Sequence, residues 1–110
     1  MNLLFVCSKN KWRSRTAETI FKNRNGLNVK SAGTEHSAQV RLNWKLIEWA
    51  EIIFVMENKH KTRIQKTFRD TLHEQEIIVL DIPDDYPYMD KELIQLLENS
   101  LAFYLEEEEL

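Results

Sequence analysis

The chain has 110 residues, a length within the size of one domain and sufficient to bury a continuous core without disulfides or metal. Hydrophobic residues make up 43% of it, charged residues 30%, and the formal net charge is -3, which argues against disorder and against a nucleic-acid partner. Its apolar runs fall far short of the roughly 20 residues that cross a bilayer, so no membrane partner is expected. We therefore predict one compact domain over residues 1–110.

The first half of the chain predicts two strands separated by a helix. Leu3–Val6 is a continuous apolar run, typical of a strand buried on both faces in a parallel sheet. Asn28–Ala32, which lies between turn signals, is a weaker strand candidate. The helix between them presents one apolar face, formed by Ala17, Ile20 and Phe21.

The second half continues the alternation of helices and strands. Two further apolar runs, Ile52–Met56 and Ile77–Leu80, predict strands. Helical apolar faces are formed by Leu42, Leu46, Trp49 and Ala50, by Ile64 and Phe68, and by Leu93, Leu96, Leu97, Ser100, Leu101 and Tyr104. The acidic run at 106–109 is expected to be solvated.

This alternation predicts an α/β fold, a single open parallel sheet of four strands with helices on both faces. Each gap between the apolar runs is long enough for a crossover helix and too long for a hairpin. Ligands bind such sheets beyond the carboxyl ends of the strands. Because Cys7 follows the first strand and the segment 81–85 follows the last, we expect the two to meet at one edge.

Cysteine and histidine usage narrows the chemistry of the site. Cys7 is the single cysteine, so it forms no intramolecular disulfide and is either core filler or a reactive thiol. His36, His60 and His73 lack the spacing of metal ligands, so we expect neither a metal site nor a cofactor. Polar residues follow the first apolar run at once, unlike in a secretory signal, so a cytoplasmic protein is expected.

The segment from Cys7 to Ser14 leads from the first strand into the first helix, and Ser14 or a neighbour could cap that helix. Free amides at a helix N-terminus and in a tight loop form a receptacle for a tetrahedral dianion. The same field favours a thiolate at Cys7, and the planar fork of Arg13 can hold two phosphoryl oxygens. We therefore predict a phosphate-binding loop formed by Ser8, Lys9, Asn10, Lys11, Trp12, Arg13 and Ser14.

Four segments together resemble the low-molecular-weight protein tyrosine phosphatases. The loop from Cys7 to Ser14, with Ala17 and Glu18 beyond it, resembles the signature loop of that family. Ser31-Ala32-Gly33-Thr34 and Phe54-Val55-Met56 resemble its second and third strands, and Ile82-Pro83-Asp84-Asp85-Tyr86 resembles the loop that carries its general acid. The resemblance implies the family's fold, with strand order 2-1-3-4.

The resemblance also implies a two-step mechanism that needs no metal. Cys7 would attack phosphorus and form a phosphocysteine, with Arg13 holding the phosphoryl oxygens. Asp84 would protonate the leaving oxygen and then activate the hydrolytic water. Trp12 and Tyr86 would line the rim, where an aromatic substrate ring could stack. The substrate would be a phosphorylated protein or a small phosphomonoester, with phosphotyrosine the first candidate and phosphoarginine the second.

Four loop positions depart from the family pattern. Lys9 replaces a glycine and would be strained by roughly 1 kcal/mol if that position has a positive φ. Trp12 stands where many members carry a second cysteine, and Arg15 replaces a proline. Lys11 occupies a position that influences the choice between phosphotyrosine and phosphoarginine. With Lys9, Lys11, Arg13 and Arg15 the loop is basic and favours acidic phosphopeptides.

Other interpretations of the same residues stay open at the level of sequence. Cys7 could be an inert buried thiol, Arg13 a surface ion-pair partner and Asp84 a turn residue after Pro83. The chain could also be a catalytically impaired module that binds phosphate or phosphopeptides. A third alternative, an arsenate reductase-like enzyme, would need an external thiol because the chain has one cysteine.

Overall fold

The structure, a computed structural model, describes the backbone of residues 1–109 and the side chains of residues 1–105. Strands and helices alternate along the chain. The strands are β1 (Asn2–Cys7), β2 (Asn28–Gly33), β3 (Ile52–Val55) and β4 (Glu76–Val79). The helices are α1 (Arg13–Phe21), α2 (Trp44–Trp49), α3 (Asn58–Thr67) and α4 (Lys91–Glu109).

The four strands form one parallel sheet in the order β2-β1-β3-β4, which confirms the predicted fold class and strand order. β1 lies between β2 and β3, with Cys7 opposite Gly33 and Val6 opposite Val55. The carboxyl ends of all four strands therefore meet at one edge. Cys7 is the last residue of a central strand and sits in the middle of that edge.

Alternate residues of the strands pack on opposite faces of the sheet, as the pleat of a strand requires. Leu3, Phe5 and Cys7 point into a core covered by α1 and α4, where the ring of Phe5 stacks between those of Phe21 and Phe54. Leu4 and Val6 point into a second core, covered by α2 and α3. Both faces of the sheet are thus buried, which explains why the strand sequences are continuously apolar.

The helix between β2 and β3 lies in the predicted gap but is shorter than expected. Its predicted face ran from Leu42 to Ala50, but α2 spans only Trp44–Trp49, and Ile47 is its fully buried residue. Asn43 caps the helix, because its Oδ1 accepts a hydrogen bond from the Leu46 amide at 3.1 Å. Leu42 is buried as predicted but belongs to the segment that follows β2.

Helix α4 has the predicted amphipathic face. Leu93, Leu97 and Leu101 are fully buried against the sheet, while Leu96 and Tyr104 are partly buried. The side chains of the acidic run 106–109, expected to be solvated, lie outside those that the structure describes. Among the described residues, no helix is both long enough and apolar enough to cross a membrane.

Candidate active site

The loop after β1 is held through its carbonyl groups. The carbonyls of Cys7, Ser8 and Lys9 accept hydrogen bonds of 2.9 to 3.0 Å from backbone amides in the segment 34–39. A trans peptide points its N–H opposite to its C=O, so the amides of residues 8–10 face away from that segment. Among the described residues, no hydrogen bond uses the amides of 8–12 as donors. These amides are available to an anion.

Gly33 allows the end of β2 to pack directly against this loop. A Cβ on Gly33 would lie 2.6 Å from the Ser8 carbonyl oxygen and 2.8 Å from the Asn10 amide nitrogen, closer than real Cβ contacts. The missing side chain therefore permits the approach of the two backbones that fixes the loop.

Asn10 and Ser14 brace the loop from inside the protein. Asn10 Nδ2 donates to Ser14 Oγ at 2.8 Å and to Ser31 Oγ at 2.9 Å, and Ser31 in turn donates to Glu18 Oε1 at 2.6 Å. Asn10 and Ser14 are buried and do not line the cavity of the site. The structure therefore places both behind the loop, whereas the other predicted loop residues face the cavity.

The structure answers one open question about the loop and corrects one expectation. The residue of this loop with a positive φ is Asn10, at 53°, and not Lys9. Asparagine tolerates this left-handed conformation better than lysine does, so Lys9 is not strained there. Ser14 does not cap α1, because the helix begins at Arg13 and no side chain caps it. The amides of its first turn therefore also lack a side-chain partner.

The thiol of Cys7 lies at the base of this loop, where the strand meets the helix N-terminus. It is 3% exposed, and its Sγ is 3.0 Å from Ser14 Oγ. The hydroxyl of Ser14 can donate to a thiolate at that distance. The positive end of the α1 dipole lies at the same place, so the sulfur faces groups that interact favourably with negative charge.

Arg13 brings a buried guanidinium to the same place. Its Nη1 donates to Glu57 Oε2 at 2.6 Å and to the Ile82 carbonyl at 2.7 Å, which fixes the fork. Its Nε is buried without a hydrogen-bond partner and lies 3.6 Å from Asp84 Oδ1. A buried donor without a partner is costly, unless a ligand supplies the acceptor.

Glu57 and His60 contribute to the site, although the sequence analysis did not identify them as site residues. The Arg13 hydrogen bond is the main reason why the pKa of Glu57 is lowered. His60 Nδ1 accepts from the Glu57 amide at 3.1 Å, and its Nε2 is 2.9 Å from Ser8 Oγ. Burial, followed by the charge of Arg13, lowers the pKa of His60 to about 4, so the ring is neutral at physiological pH. With Nδ1 accepting, neutral His60 donates from Nε2 to Ser8.

A cavity of about 160 Å³ opens at the thiol. Seven residues line it: Cys7, Ser8, Lys9, Lys11, Trp12, Arg13 and Asp84. Trp12 is 36% exposed and carries the ammonium group of Lys11 5.4 Å from its ring centroid. Asp84 is the carboxylate in this lining, with a 58% exposed side chain. The structure thus brings together Cys7, Arg13 and Asp84 from the ends of β1 and β4, as expected from topology.

Tyr86, expected at the rim, does not line this cavity. Its ring is partly buried and packs against the core beneath α4. The chain after Asp84 instead returns to α1, where the Met89 amide donates to Thr16 Oγ1 at 2.9 Å. Tyr88, two residues after Tyr86, is exposed, and the guanidinium carbon of Arg15 lies 5.2 Å from its ring centroid.

Known proteins share the fold of the chain, and a known family matches the sequence of its first half, which includes the loop. The sequence profile of the low molecular weight phosphotyrosine protein phosphatases matches residues 2–51. The structure is similar to that of the YwlE arginine phosphatase from Geobacillus stearothermophilus, with a TM-score of 0.74, 24% identity, and 97% of this chain and 94% of that one covered. No curated protein sequence matches the chain.

Two further solved structures have the same fold. A YwlE mutant from Bacillus subtilis has a TM-score of 0.72 and 26% identity, covering 96% of this chain and 99% of that one. The low molecular weight protein tyrosine phosphatase SP-PTP from Streptococcus pyogenes has a TM-score of 0.78 and 15% identity, covering 96% and 91%.

Fold and profile are both similar to those of cysteine-dependent phosphatases. Residues 2–51 are thus similar to the low molecular weight phosphotyrosine protein phosphatases in sequence, and the whole chain is similar to them in fold. The predicted resemblance to this family is thereby confirmed.

Proposed function

We propose that this protein hydrolyses phosphate monoesters on protein side chains through a phosphocysteine formed at Cys7. The observation that carries the proposal is the convergence of three groups on one small cavity. The Cys7 thiol, the unpartnered Nε of buried Arg13 and the carboxyl group of Asp84 all line it. A dianion in this cavity would supply the acceptor that Arg13 Nε and the loop amides lack.

In the first step, the Cys7 thiolate attacks phosphorus and the bond to the leaving oxygen breaks. Arg13 and the amides of residues 8–12 stabilise the charge on the three equatorial oxygens. Asp84 donates its proton to the leaving oxygen, which departs as an alcohol or phenol. Ser14 stabilises the thiolate before the attack, because its hydroxyl is 3.0 Å from Sγ.

In the second step, water attacks the phosphocysteine, and Asp84, now a carboxylate, takes the proton of that water. The sulfur leaves as a thiolate, and inorganic phosphate is released. The exposure of Asp84 at the cavity mouth supports this role, because both the leaving group and the water approach from solvent.

Phosphotyrosine, a monoester, is the first candidate substrate. Phosphoarginine, a phosphoramidate, is the second; with it the P–N bond would break and Asp84 would protonate the leaving nitrogen. The exposed ring of Trp12 at the cavity supports phosphotyrosine, since an aromatic substrate can stack on it. Lys9 and Lys11 also line the cavity and would repel a cationic leaving group. Similarity to structures named as YwlE arginine phosphatases supports the second candidate.

The single thiol must stay reduced, which supports a cytoplasmic location.

Hydrolysis of p-nitrophenyl phosphate in the presence of EDTA tests the proposed chemistry. We expect turnover by the wild type and a loss of at least about 10³-fold in Cys7→Ser, since the serine hydroxyl is a far weaker nucleophile. Ser37→Ala, a change at an exposed residue outside the cavity, serves as the control. Unchanged turnover in Cys7→Ser would refute the mechanism.

The alternative of a module that binds without turnover draws on Lys9 in place of a glycine and on Arg15 after Ser14, and the first ground is weakened because Asn10 carries the positive φ. It predicts phosphate binding by a wild type that hydrolyses nothing. The arsenate reductase alternative predicts turnover of arsenate only when an external thiol is added.

Parallel assays with phosphotyrosine and phosphoarginine peptides of identical flanking sequence distinguish the two substrate candidates by kcat/KM.

A further inference from the structure

A second cavity, of about 180 Å³, shares no lining residue with the active-site cavity. One wall is the segment after β2, from Thr34 to Leu42, and the other is the end of α3 with Phe68. The wall after β2 also touches the phosphate loop, because the Thr34 amide donates to the Cys7 carbonyl at 3.0 Å. The second cavity therefore lies next to the active site without being part of it.

A guanidinium group from each wall, those of Arg41 and Arg63, lines this cavity. Arg41 and His36 come from the segment after β2, with Arg41 Nη2 3.5 Å from His36 Nε2, and Arg63 comes from α3. No carboxylate lines the cavity, and neither arginine forms a salt bridge with any described carboxylate. Two guanidinium groups around one concavity without a counter-charge create a potential that attracts an anion.

The remaining lining residues define the ligand more narrowly. Thr34 and Thr67 bring hydroxyl groups, which together with guanidinium groups are typical of phosphate recognition. Leu42 is buried and Phe68 half-buried, and they give the cavity an apolar part. The volume suits one small organic group and is well below that of a drug-sized pocket.

From these features we propose that the second cavity binds a phosphate monoester dianion carried on a small apolar group. Arg41 and Arg63 hold the phosphoryl oxygens with planar forks, which lysine does not provide. Leu42 and Phe68 contact the apolar group. This site does not depend on turnover at Cys7, so it can be tested whether or not the proposed function holds.

Titration of the wild-type protein with phenylphosphonate, followed by backbone amide NMR shifts, tests the site, because the C–P bond of this probe is not hydrolysed. We expect two groups of shifting amides with separate saturation curves. One group comprises residues 8–14, and the other residues 34–42 and 63–68. The double variant Arg41→Gln/Arg63→Gln should weaken binding at the second group by at least about tenfold, since two charge-assisted contacts are lost, and leave the first group unchanged.

The variant Lys66→Gln/Arg69→Gln is the matched control, because it removes two positive charges from nearby residues that do not line the cavity. It should retain both responses. The proposal is overturned if residues 34–42 and 63–68 do not respond, if they saturate only together with residues 8–14, or if the control weakens the second site equally.

The dianion could be a free ester or a second phosphorylated side chain of the substrate, and peptides distinguish these sources. A doubly phosphorylated peptide that binds at least about tenfold more tightly than its singly phosphorylated form, with the gain lost in Arg41→Gln/Arg63→Gln, assigns the site to the substrate protein. Equal affinity of the two peptides, with phenylphosphonate still bound at the second group, assigns it to a free ester.

Discussion

Asn10 has two roles in the loop from Cys7 to Ser14: its backbone makes the turn, and its side chain braces the loop. Few other residue types could fill both roles. Its backbone adopts φ 53°, and its side chain is 1% exposed. Nδ2 donates to two serine hydroxyls, and Oδ1 accepts from the Val40 amide at 3.2 Å. The turn and the bracing of the loop thus depend on the same side chain. Asparagine visits this backbone region more readily than most residues with a Cβ.

Replacement of Asn10 separates these two roles. We expect Asn10→Ala to lower the free energy of unfolding by about 2–4 kcal/mol, because it removes three hydrogen bonds and strains the backbone. Asn10→Gly should recover roughly 1 kcal/mol of that loss, since glycine adopts the positive φ freely. Urea unfolding measures both. Identical stabilities of the two variants would contradict the backbone contribution.

The proposed role of Asp84 as proton donor can be tested by varying how readily the leaving group departs without a proton. Asp84→Asn should lower kcat for phenyl phosphate by about 10²–10³-fold, because phenol is a poor leaving group without a proton. The loss with p-nitrophenyl phosphate should be much smaller.

The neighbouring Asp85→Asn is the control for this prediction, because Asp85 is exposed and does not line the cavity. Its kinetic constants should stay within about threefold of the wild type, as is usual for changes away from the reacting groups. If both variants lose activity equally, or if the Asp84 effect does not vary with the leaving group, Asp84 is not the acid.

At the scale of elements, the start of α3 connects two parts of the phosphate loop. Glu57 and His60 hold the first turn of α3: His60 Nδ1 accepts from the Glu57 amide at 3.1 Å, and the His60 amide donates to the Glu57 carbonyl at 3.0 Å. The outer atoms of the same pair contact the loop, with Glu57 on Arg13 and His60 on Ser8. The start of α3 therefore also orients Arg13, and the helix and the loop should be stable or lost together.

The depressed pKa of His60 predicts a dependence of stability on pH. The unfolded chain binds a proton at His60 near pH 6.5, whereas the folded protein does so only near pH 4. Stability should therefore fall as the pH decreases through this window, by up to ~3 kcal/mol. His60→Asn, which keeps an acceptor but does not titrate, should have a flatter profile of unfolding free energy between pH 6.5 and 4.5. Equal slopes for the two proteins would contradict the assignment.

At the scale of the whole molecule, charge is unevenly distributed. The chain has a formal net charge of -3, yet the active-site cavity is lined by Lys9, Lys11 and Arg13 against one carboxylate, Asp84. Neither lysine forms a salt bridge with a described carboxylate. The cavity should therefore attract anions, although the protein as a whole repels them.

This asymmetry predicts a preference for substrates with acidic flanking residues. Phosphopeptides with Asp or Glu beside the phosphorylated residue should have a kcat/KM about tenfold higher than neutral analogues at low salt, with the ratio falling in 0.5 M NaCl. Lys9→Gln/Lys11→Gln should bring the ratio close to one, whereas Lys22→Gln/Lys45→Gln should preserve it. A ratio that does not depend on salt or on Lys9 and Lys11 would refute the electrostatic explanation.

Sequence patterns predicted those parts of the site that follow from strand order. Because the carboxyl ends of parallel strands share one edge, Cys7 and Asp84 could be brought together without knowledge of their contacts. The same rule would have found Glu57, since it lies two residues beyond the end of β3. Tyr86 was placed wrongly because its position depends on the path of the chain after Pro83, which packs the ring on the core.

The sequence by itself determined the alternation of strands and helices, the two-sided burial of the sheet and the position of the loop between β1 and α1. Periodicity and motif spacing encode these features, because they depend on residues close together in the chain. Only the tertiary structure decided that Asn10 takes the positive φ, that Glu57 and His60 hold the loop, and that Arg41 and Arg63 face one cavity. Such contacts join residues about 20 to 50 positions apart, and no local pattern specifies their distances.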